Sequence, residues 1–293
     1  TSFNQSLNDW DISRVTSLYD TFWEANSFNQ PLHGWDTSQV TSLERTFYRA
    51  TAFNQNINSW DVSRVTTLEK TFYYADHFNQ PLDAWQTGEV TSMEATFYFA
   101  RAFNQPLTGW ATSRVTTLKW TFFGCGDFNQ PLAHFDVSSV TNLERTFSSA
   151  YAFNQPIANW DTSHVTTFMQ MFFATQAFNQ DISAWNVSKA SNMHGMFSVS
   201  FGLDNCIKPT IHAAWSAANS KWTCSPAAYS TGCADSDGFD DVDYCPPAPP
   251  FSPPPPSPPP LHIQVREQLR VGPVCLLRRH DAHLTCVCAR CLL

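Results

Sequence analysis

Residues 28–52 read FNQPLHGWDTSQVTSLERTFYRATA, and a close copy of this 25-residue unit begins at residue 53. The triplet FNQ recurs at a constant spacing of 25 residues, without insertions, and its copies begin at Phe3, Phe28, Phe53, Phe78, Phe103, Phe128, Phe153 and Phe178. A fixed period of about 20–50 residues is the sequence signature of proteins that stack one small structural unit. We therefore predict that residues 1–200 form one right-handed repeat solenoid of eight units rather than separate globular cores.

Within each unit, the apolar spacing predicts two elements. Leu43, Phe47 and Ala50 lie at helical intervals and would share one face of a short helix. Thr41 followed by Glu44 has the pattern of a capping box at the start of that helix. Residues 35–38 are aromatic, polar and β-branched, and such residues favour a short parallel strand. The expected fold class is thus an α/β repeat solenoid of the leucine-rich-repeat kind, with short parallel strands and one short helix in each unit.

Identical positions of stacked units would lie in columns. The asparagine of each FNQ triplet forms one such column, and we interpret its side-chain amide as a partner for turn backbone and for the next copy. Cys125 replaces the small alanine of its unit, which indicates a buried, inert thiol rather than a nucleophile.

Composition excludes several classes of function. Only 14% of the residues are charged and 15% are aromatic, which argues against disorder in most of the chain. The formal net charge of −8 disfavours nucleic acid as a partner, because phosphate binding needs a basic surface. The chain contains no run of about 18 consecutive apolar residues, so the sequence predicts no transmembrane helix. The chain begins in mid-repeat without Met, so we expect it to be a fragment of a longer protein.

Taken together, the FNQPL, WDTS, VTSL and TF-x-x-A motifs resemble those of the BspA-like leucine-rich-repeat surface proteins. The resemblance covers residues 1 to about 224 and extends over the whole unit. The chain departs from the family pattern at Leu43 and Thr46, where methionine is common. The resemblance implies an extracellular or cell-surface location and a role in adhesion or recognition. It also implies that residues 201–224 close the array, with an Ala-rich amphipathic helix between Leu203 and Trp215.

The cysteines cluster after the array, as expected for disulfide bonds in an oxidising compartment. From local spacing we predict that Cys206 pairs with Cys224 and that Cys233 pairs with Cys245. Residues 225–245, which include Cys233 and Cys245, are acidic and resemble a shortened calcium loop. Its candidate ligands are Asp235, Asp237, Asp240, Asp241 and Asp243. The alternative is a solvated acidic linker, and no other cofactor is expected.

Two further segments complete the chain. Residues 246–260 read PPAPPFSPPPPSPPP and predict an extended polyproline spacer. Residues 261–293 form a basic, Cys-rich tail for which we expect disorder.

Two variable columns of the array are candidates for a ligand-binding face. One is aromatic and includes Trp23, Tyr48, Tyr73, Tyr98, Phe123 and Phe173. The other is partly basic and includes Arg14, Arg64 and Arg114. Exposed aromatic side chains on a regular surface are typical of protein or glycan binding, whereas the alternative is that the rings only stack on one another.

The function predicted from these columns is non-catalytic binding of a protein or glycan. The alternative function is a structural rod of a wall or extracellular matrix without a specific ligand. An enzyme is not expected, because the histidines of the array occupy different repeat positions and form no recurring pair with an acid or a nucleophile.

Overall fold

The repeat units form successive coils of the chain, and each coil lies against the next. A computed structural model describes residues 2–220 and 222, together with the backbone of two short strands near the C-terminus. Seven isolated parallel bridges join residues 25 apart, from Ser17–Ser42 at one end to Thr167–Asn192 at the other. We number the coils 1 to 8, so that coil 1 begins at Phe3, coil 2 at Phe28 and coil 8 at Phe178. Equivalent residues therefore stack in register.

The second half of each unit is a run of turns, and the predicted helix is wrong. In coil 2, every second backbone amide donates to a carbonyl oxygen of coil 3. The donors are the amides of Leu43, Arg45, Phe47 and Arg49. An α-helix would use carbonyls four residues back in the same segment. Arg45 and Arg49 have φ angles of 56° and 55°, which a right-handed helix excludes. So short a helix is marginal alone in water, and hydrogen bonds to the next coil replace it.

The predicted strand and capping box are also misplaced. The parallel bridge of coil 2 falls at Ser42 and not at residues 35–38. There, the Ser38 amide donates to the Asp36 carboxylate at 3.0 Å, which makes a turn. Thr41 caps no helix, since its hydroxyl donates to the carbonyl oxygen of Thr16 at 3.0 Å.

Columns of aromatic rings fill the interior. The column of Phe22 and Phe47 continues through every coil with ring centroids 5.2–5.8 Å apart. The phenylalanines of the FNQ triplets form a second column with separations of 5.7–6.2 Å. Tryptophans line a third column, and six of them donate their indole N–H to a Leu or Ile carbonyl of the preceding coil at 2.8–3.1 Å. The buried indoles are thus satisfied as well as packed.

The asparagine column ties the coils together as the sequence predicts. The side-chain oxygen of Asn79 accepts hydrogen bonds from the Asn104 amide and the Gln105 side chain, both at 3.0 Å. The same pair of bonds recurs between the other neighbouring coils. These asparagines are therefore structural.

A single helix lies on the last coil. Residues 203–207 begin like a ninth unit, and the Asp204 amide continues the asparagine column by donating to Asn179 at 2.8 Å. The chain then forms α1, Ile207–Ala218. Trp215 is fully buried and its ring packs 6.4 Å from Trp185. The helix expected between Leu203 and Trp215 is thus present, although it begins four residues later.

Near the C-terminus, β1 (Cys275–His280) pairs antiparallel with β2 (His283–Cys288). Both strands fall within residues 261–293, for which the sequence predicts disorder, so that expectation does not hold for them. The chain divides into two compact units, Thr1–Cys245 and Pro246–Leu293. The predicted acidic segment 225–245 and proline-rich segment 246–260 lie outside the described residues.

Candidate functional site

Four of the predicted aromatic residues form one stack on the run of turns. Successive ring centroids of Tyr48, Tyr73, Tyr98 and Phe123 are 4.5, 4.4 and 4.7 Å apart, with the rings within 7° of parallel. Each ring is partly exposed. Because neighbours cover the ring faces, this stack presents mainly ring edges to solvent.

The two other predicted members of this column lie apart from the stack. Trp23 is 46% exposed in coil 1. Phe173 is separated from Phe123 by Ser148, a small buried residue that interrupts the column in coil 6.

Three further rings, which the sequence analysis does not single out, extend the stack into a patch. Tyr74 and Phe99 stack on each other at 4.9 Å and meet the first stack nearly edge-on. Trp120 approaches Tyr98 edge-on at 6.0 Å. They come from other columns of the unit, so a search along one column misses them. We call the seven residues the aromatic patch: Tyr48, Tyr73, Tyr74, Tyr98, Phe99, Trp120 and Phe123.

Cationic side chains lie over the rings of this patch. The guanidinium of Arg45 is 5.1 Å from the centre of Tyr48, and that of Arg49 is 5.6 Å from the centre of Tyr74. Arg101 covers Phe99 at 5.3 Å, and Lys119 covers Trp120 at 4.2 Å. Such contacts hold the cations along the rim of the patch.

Each of these cations also contacts an acid of the preceding coil. Arg45 pairs with Asp20 at 3.0 Å and Arg49 with Glu24 at 3.4 Å. The other two pairs are Arg101 with Asp76 at 3.5 Å and Lys119 with Glu94 at 3.6 Å. The four cations at the rim of the patch are therefore each balanced by an acid.

Burial shifts the ionisation of groups within and beside the patch. Desolvation raises the pKa of Tyr73 and of Tyr98, so both phenols stay neutral near physiological pH. Burial likewise raises the pKa of Glu44, and the neighbouring Glu69 adds to this shift. For Lys70, burial opposes the charge, but the hydrogen bond to Glu69 and the charges of Glu69, Glu94 and Glu44 together outweigh it and raise the pKa.

The basic column lies on a different segment of the unit. Arg14, Arg64 and Arg114 are exposed. Arg64 donates to the Gln39 side chain at 2.7 Å, and Arg114 forms an ion pair with Glu89. Their contacts thus run along their own column, and this second candidate face is polar.

The cysteine predictions have separate outcomes. Cys125 is free and fully buried, as predicted. Its thiol donates to the Phe97 carbonyl at 2.8 Å, and burial raises its pKa, so it is not a reactive thiolate. Cys206 is disulfide-bonded. Its predicted partner Cys224, the pair Cys233–Cys245 and the five calcium-ligand candidates lie outside the described residues.

The described residues include no group of three His, Cys, Asp or Glu side chains placed to hold a metal ion. They also include no helix with the length and apolar character needed to cross a membrane.

In-register coils with near-identical sequences define a repeat protein. The chain matches the family described as "Mycoplasma protein of unknown function, DUF285" over residues 1–110 and again over residues 91–208. Together these matches cover more than half of the chain, which therefore belongs to this family. No curated protein matches the chain, and no solved structure does.

Proposed function

We propose that this chain is a non-catalytic binding protein of the BspA-like surface class, acting at a cell surface or outside the cell. Its coils would form a repeat solenoid with one parallel bridge and no helix in each unit. The partner would be a protein that docks on the aromatic patch. The observation that carries this proposal is the patch itself, in which seven partly exposed rings from four coils form one surface with arginines at its rim.

The residue types of the patch support a protein partner. Tyr, Trp and Arg are the residues most enriched among those that dominate binding energy at protein interfaces. Rings locked in a stack lose little conformational entropy on binding, which favours affinity. A sugar, by contrast, packs its apolar face on an open ring face, and here the faces of the central rings are covered by their neighbours.

For two histidines of the array, a structural role fits better than a catalytic role. His77 Nδ1 contacts the Thr51 carbonyl at 2.7 Å, and His134 Nε2 contacts the Leu107 carbonyl at 2.9 Å. Ring nitrogens engaged by main-chain oxygens are committed to the fold. We therefore propose binding without catalysis.

The test is to probe the full chain and two variants against arrays of extracellular proteins and of glycans. One variant replaces Tyr48 and Tyr98 by Ser, a residue that the same column carries at Ser148 and Ser198. The other replaces Arg64 and Arg114 by Ser and controls for the second candidate face. We expect the full chain to bind a protein ligand. The tyrosine variant should weaken this binding at least tenfold, which corresponds to a loss of about 1.4 kcal/mol. The arginine variant should change the binding little.

Three results would contradict this proposal. A ligand bound equally by wild-type chain and tyrosine variant would remove the patch from the site. Binding to glycans alone would replace the protein partner. If the wild-type chain bound neither array, the alternative function as a structural rod would be favoured. The continuous columns of the core suit that role as well.

A further inference from the structure

The tyrosine column has a geometry suited to covalent chemistry between rings. Tyr48, Tyr73 and Tyr98 occupy the same position in three successive coils, and among residues 3–202 no other position carries tyrosine in adjacent coils. Tyr73 and Tyr98 stack with centroids 4.4 Å apart and planes within 5°. The two rings are thus held face to face at equivalent positions of neighbouring coils.

We propose that Tyr73 and Tyr98 are a modification site, at which a peroxidase using hydrogen peroxide joins the two rings as a dityrosine link between coils 3 and 4. Each phenol loses one electron and one proton, which produces two phenoxyl radicals. The two unpaired electrons form one carbon–carbon bond between the ring positions next to the oxygens. The ring carbons then transfer their hydrogens to the oxygens as protons, which restores both phenols. Two tyrosines and one hydrogen peroxide give one dityrosine and two waters.

The stacked geometry supports the bond-forming step. Spin in a phenoxyl radical lies partly on the ring carbons next to the oxygen, in orbitals perpendicular to the ring. Two such orbitals overlap best when the rings lie face to face, which is how this pair is held. Fixing two reactants in this way raises their effective concentration greatly over that of free partners.

The surroundings also select this pair. Both rings are partly exposed, so an oxidant can reach them at the surface. Their exposure also leaves room for the rings to rotate out of the stack, so that the new bond can lie in the plane of each ring. Phe123 covers the far face of Tyr98 at 4.7 Å and carries no hydroxyl, so coupling ends there. Tyr48 lies 4.5 Å from Tyr73 and is the competing partner. The Arg45 guanidinium lies 5.1 Å from the centre of the Tyr48 ring, and its positive charge opposes removal of an electron from this competitor.

The experiment treats the full chain, at low concentration, with a heme peroxidase and limiting hydrogen peroxide. The monomer is isolated on a denaturing gel and digested after glutamate. Glu89 and Glu94 lie between the two tyrosines, so a link leaves two peptides joined. We expect dityrosine fluorescence in the monomer and a joined peptide lighter by two hydrogens than the sum of its parts.

Matched variants make the result specific. Tyr73→Phe and Tyr98→Phe keep a ring in the column, as Phe123 does, and should melt like the wild-type chain while losing the joined peptide. Tyr74→Phe changes the neighbouring residue on the same peptide and should retain it. The proposal is overturned if the joined peptide is absent from the monomer, or if links occur only at the more exposed Tyr19 and Tyr151. Equal yield of the joined peptide from the urea-unfolded chain would overturn it as well.

Discussion

His134 donates from Nε2 to the carbonyl oxygen of Leu107 at 2.9 Å, the same kind of carbonyl that receives an indole N–H in other coils. Coil 6 carries Phe135 where most units carry tryptophan, and phenylalanine has no N–H to donate. The histidine beside it supplies the missing donor from a side chain that starts one residue earlier. A hydrogen bond of the core is thus kept while the residue that usually makes it is lost.

This relationship predicts a rescue. His134→Ala should destabilise the chain by about 1 kcal/mol, because one hydrogen bond to the Leu107 oxygen is lost. Adding Phe135→Trp should recover most of this loss by restoring the indole donor. Chemical unfolding of the two variants measures the effect. If the double variant is no more stable than the single one, the two side chains are not equivalent donors.

The two neighbouring rings Phe97 and Tyr98 should differ strongly in their contribution to stability. Phe97 is fully buried, as predicted from its column, and stacks on Phe103 at 4.1 Å. Phe97→Ala should cost about 3–5 kcal/mol. Tyr98→Ala removes a partly exposed ring and should cost no more than about 1.5 kcal/mol. Thermal melts of both variants decide the matter. Equal losses would place the tyrosine stack in the core and remove the aromatic patch as a binding surface.

The asparagine column should depend more on asparagine than on the adjacent glutamine. Asn79→Ala leaves the Asn104 amide without its acceptor, and an unpaired, partly buried amide costs about 1–3 kcal/mol. Gln80→Ala loses one bond from its side chain to Asn54 and leaves no main-chain group unpaired. We therefore expect it to cost less than about 1 kcal/mol. Urea midpoints compare the two, and a larger loss for the glutamine variant would contradict the assigned roles.

Gly124 and Ala174 occupy the same position of coils 5 and 7, both with positive φ, at 70° and 55°. A Cβ added at Gly124 would lie 2.6 Å from the Phe99 ring. Gly124→Ala should therefore destabilise by about 2–3 kcal/mol. Ala174→Gly should be neutral or stabilising by up to about 1 kcal/mol, because it relieves a left-handed alanine at the cost of a freer unfolded chain. Calorimetry of the pair checks both signs, and a clear loss on Ala174→Gly would argue against the left-handed turn.

The disulfide scheme stays a prediction that mass spectrometry can decide. Cys206 is bonded, and we expect Cys224 as its partner, with Cys233 joined to Cys245. Non-reducing digestion of the full chain should recover these two linked peptides. A link from Cys206 to Cys245 would overturn the scheme.

The sequence predicts which side chains of each unit are buried more reliably than it predicts the backbone conformation. Leu43, Phe47 and Ala50 are all buried as predicted, yet the chain connects them by turns and not by a helix. The same side chains point inward in both conformations, so their spacing does not distinguish the two. The left-handed positions are hard to detect because Arg45 and its equivalents are rarely glycine. Gly124 and Gly195 were the available signals.

The candidate site shows the same limit. Tyr48, Tyr73, Tyr98 and Phe123 share one repeat position, and the sequence therefore predicts that they lie in one column. The cations could not be assigned to rings in advance, because Arg49 reaches the Tyr74 ring of the next coil. Contacts between different columns depend on the turn geometry, which the repeat pattern does not encode.

The constant spacing of the links between coils has a consequence for inheritance. Bridges and asparagine hydrogen bonds join residues 25 apart, so loss or gain of one whole unit by unequal recombination leaves every donor opposite an equivalent acceptor. Such an array can change length between generations without refitting its interior. The surface would change, however, because removal of coil 4 would place Tyr73 directly against Phe123. Descendants of one ancestral chain could thus keep the same core while displaying different faces.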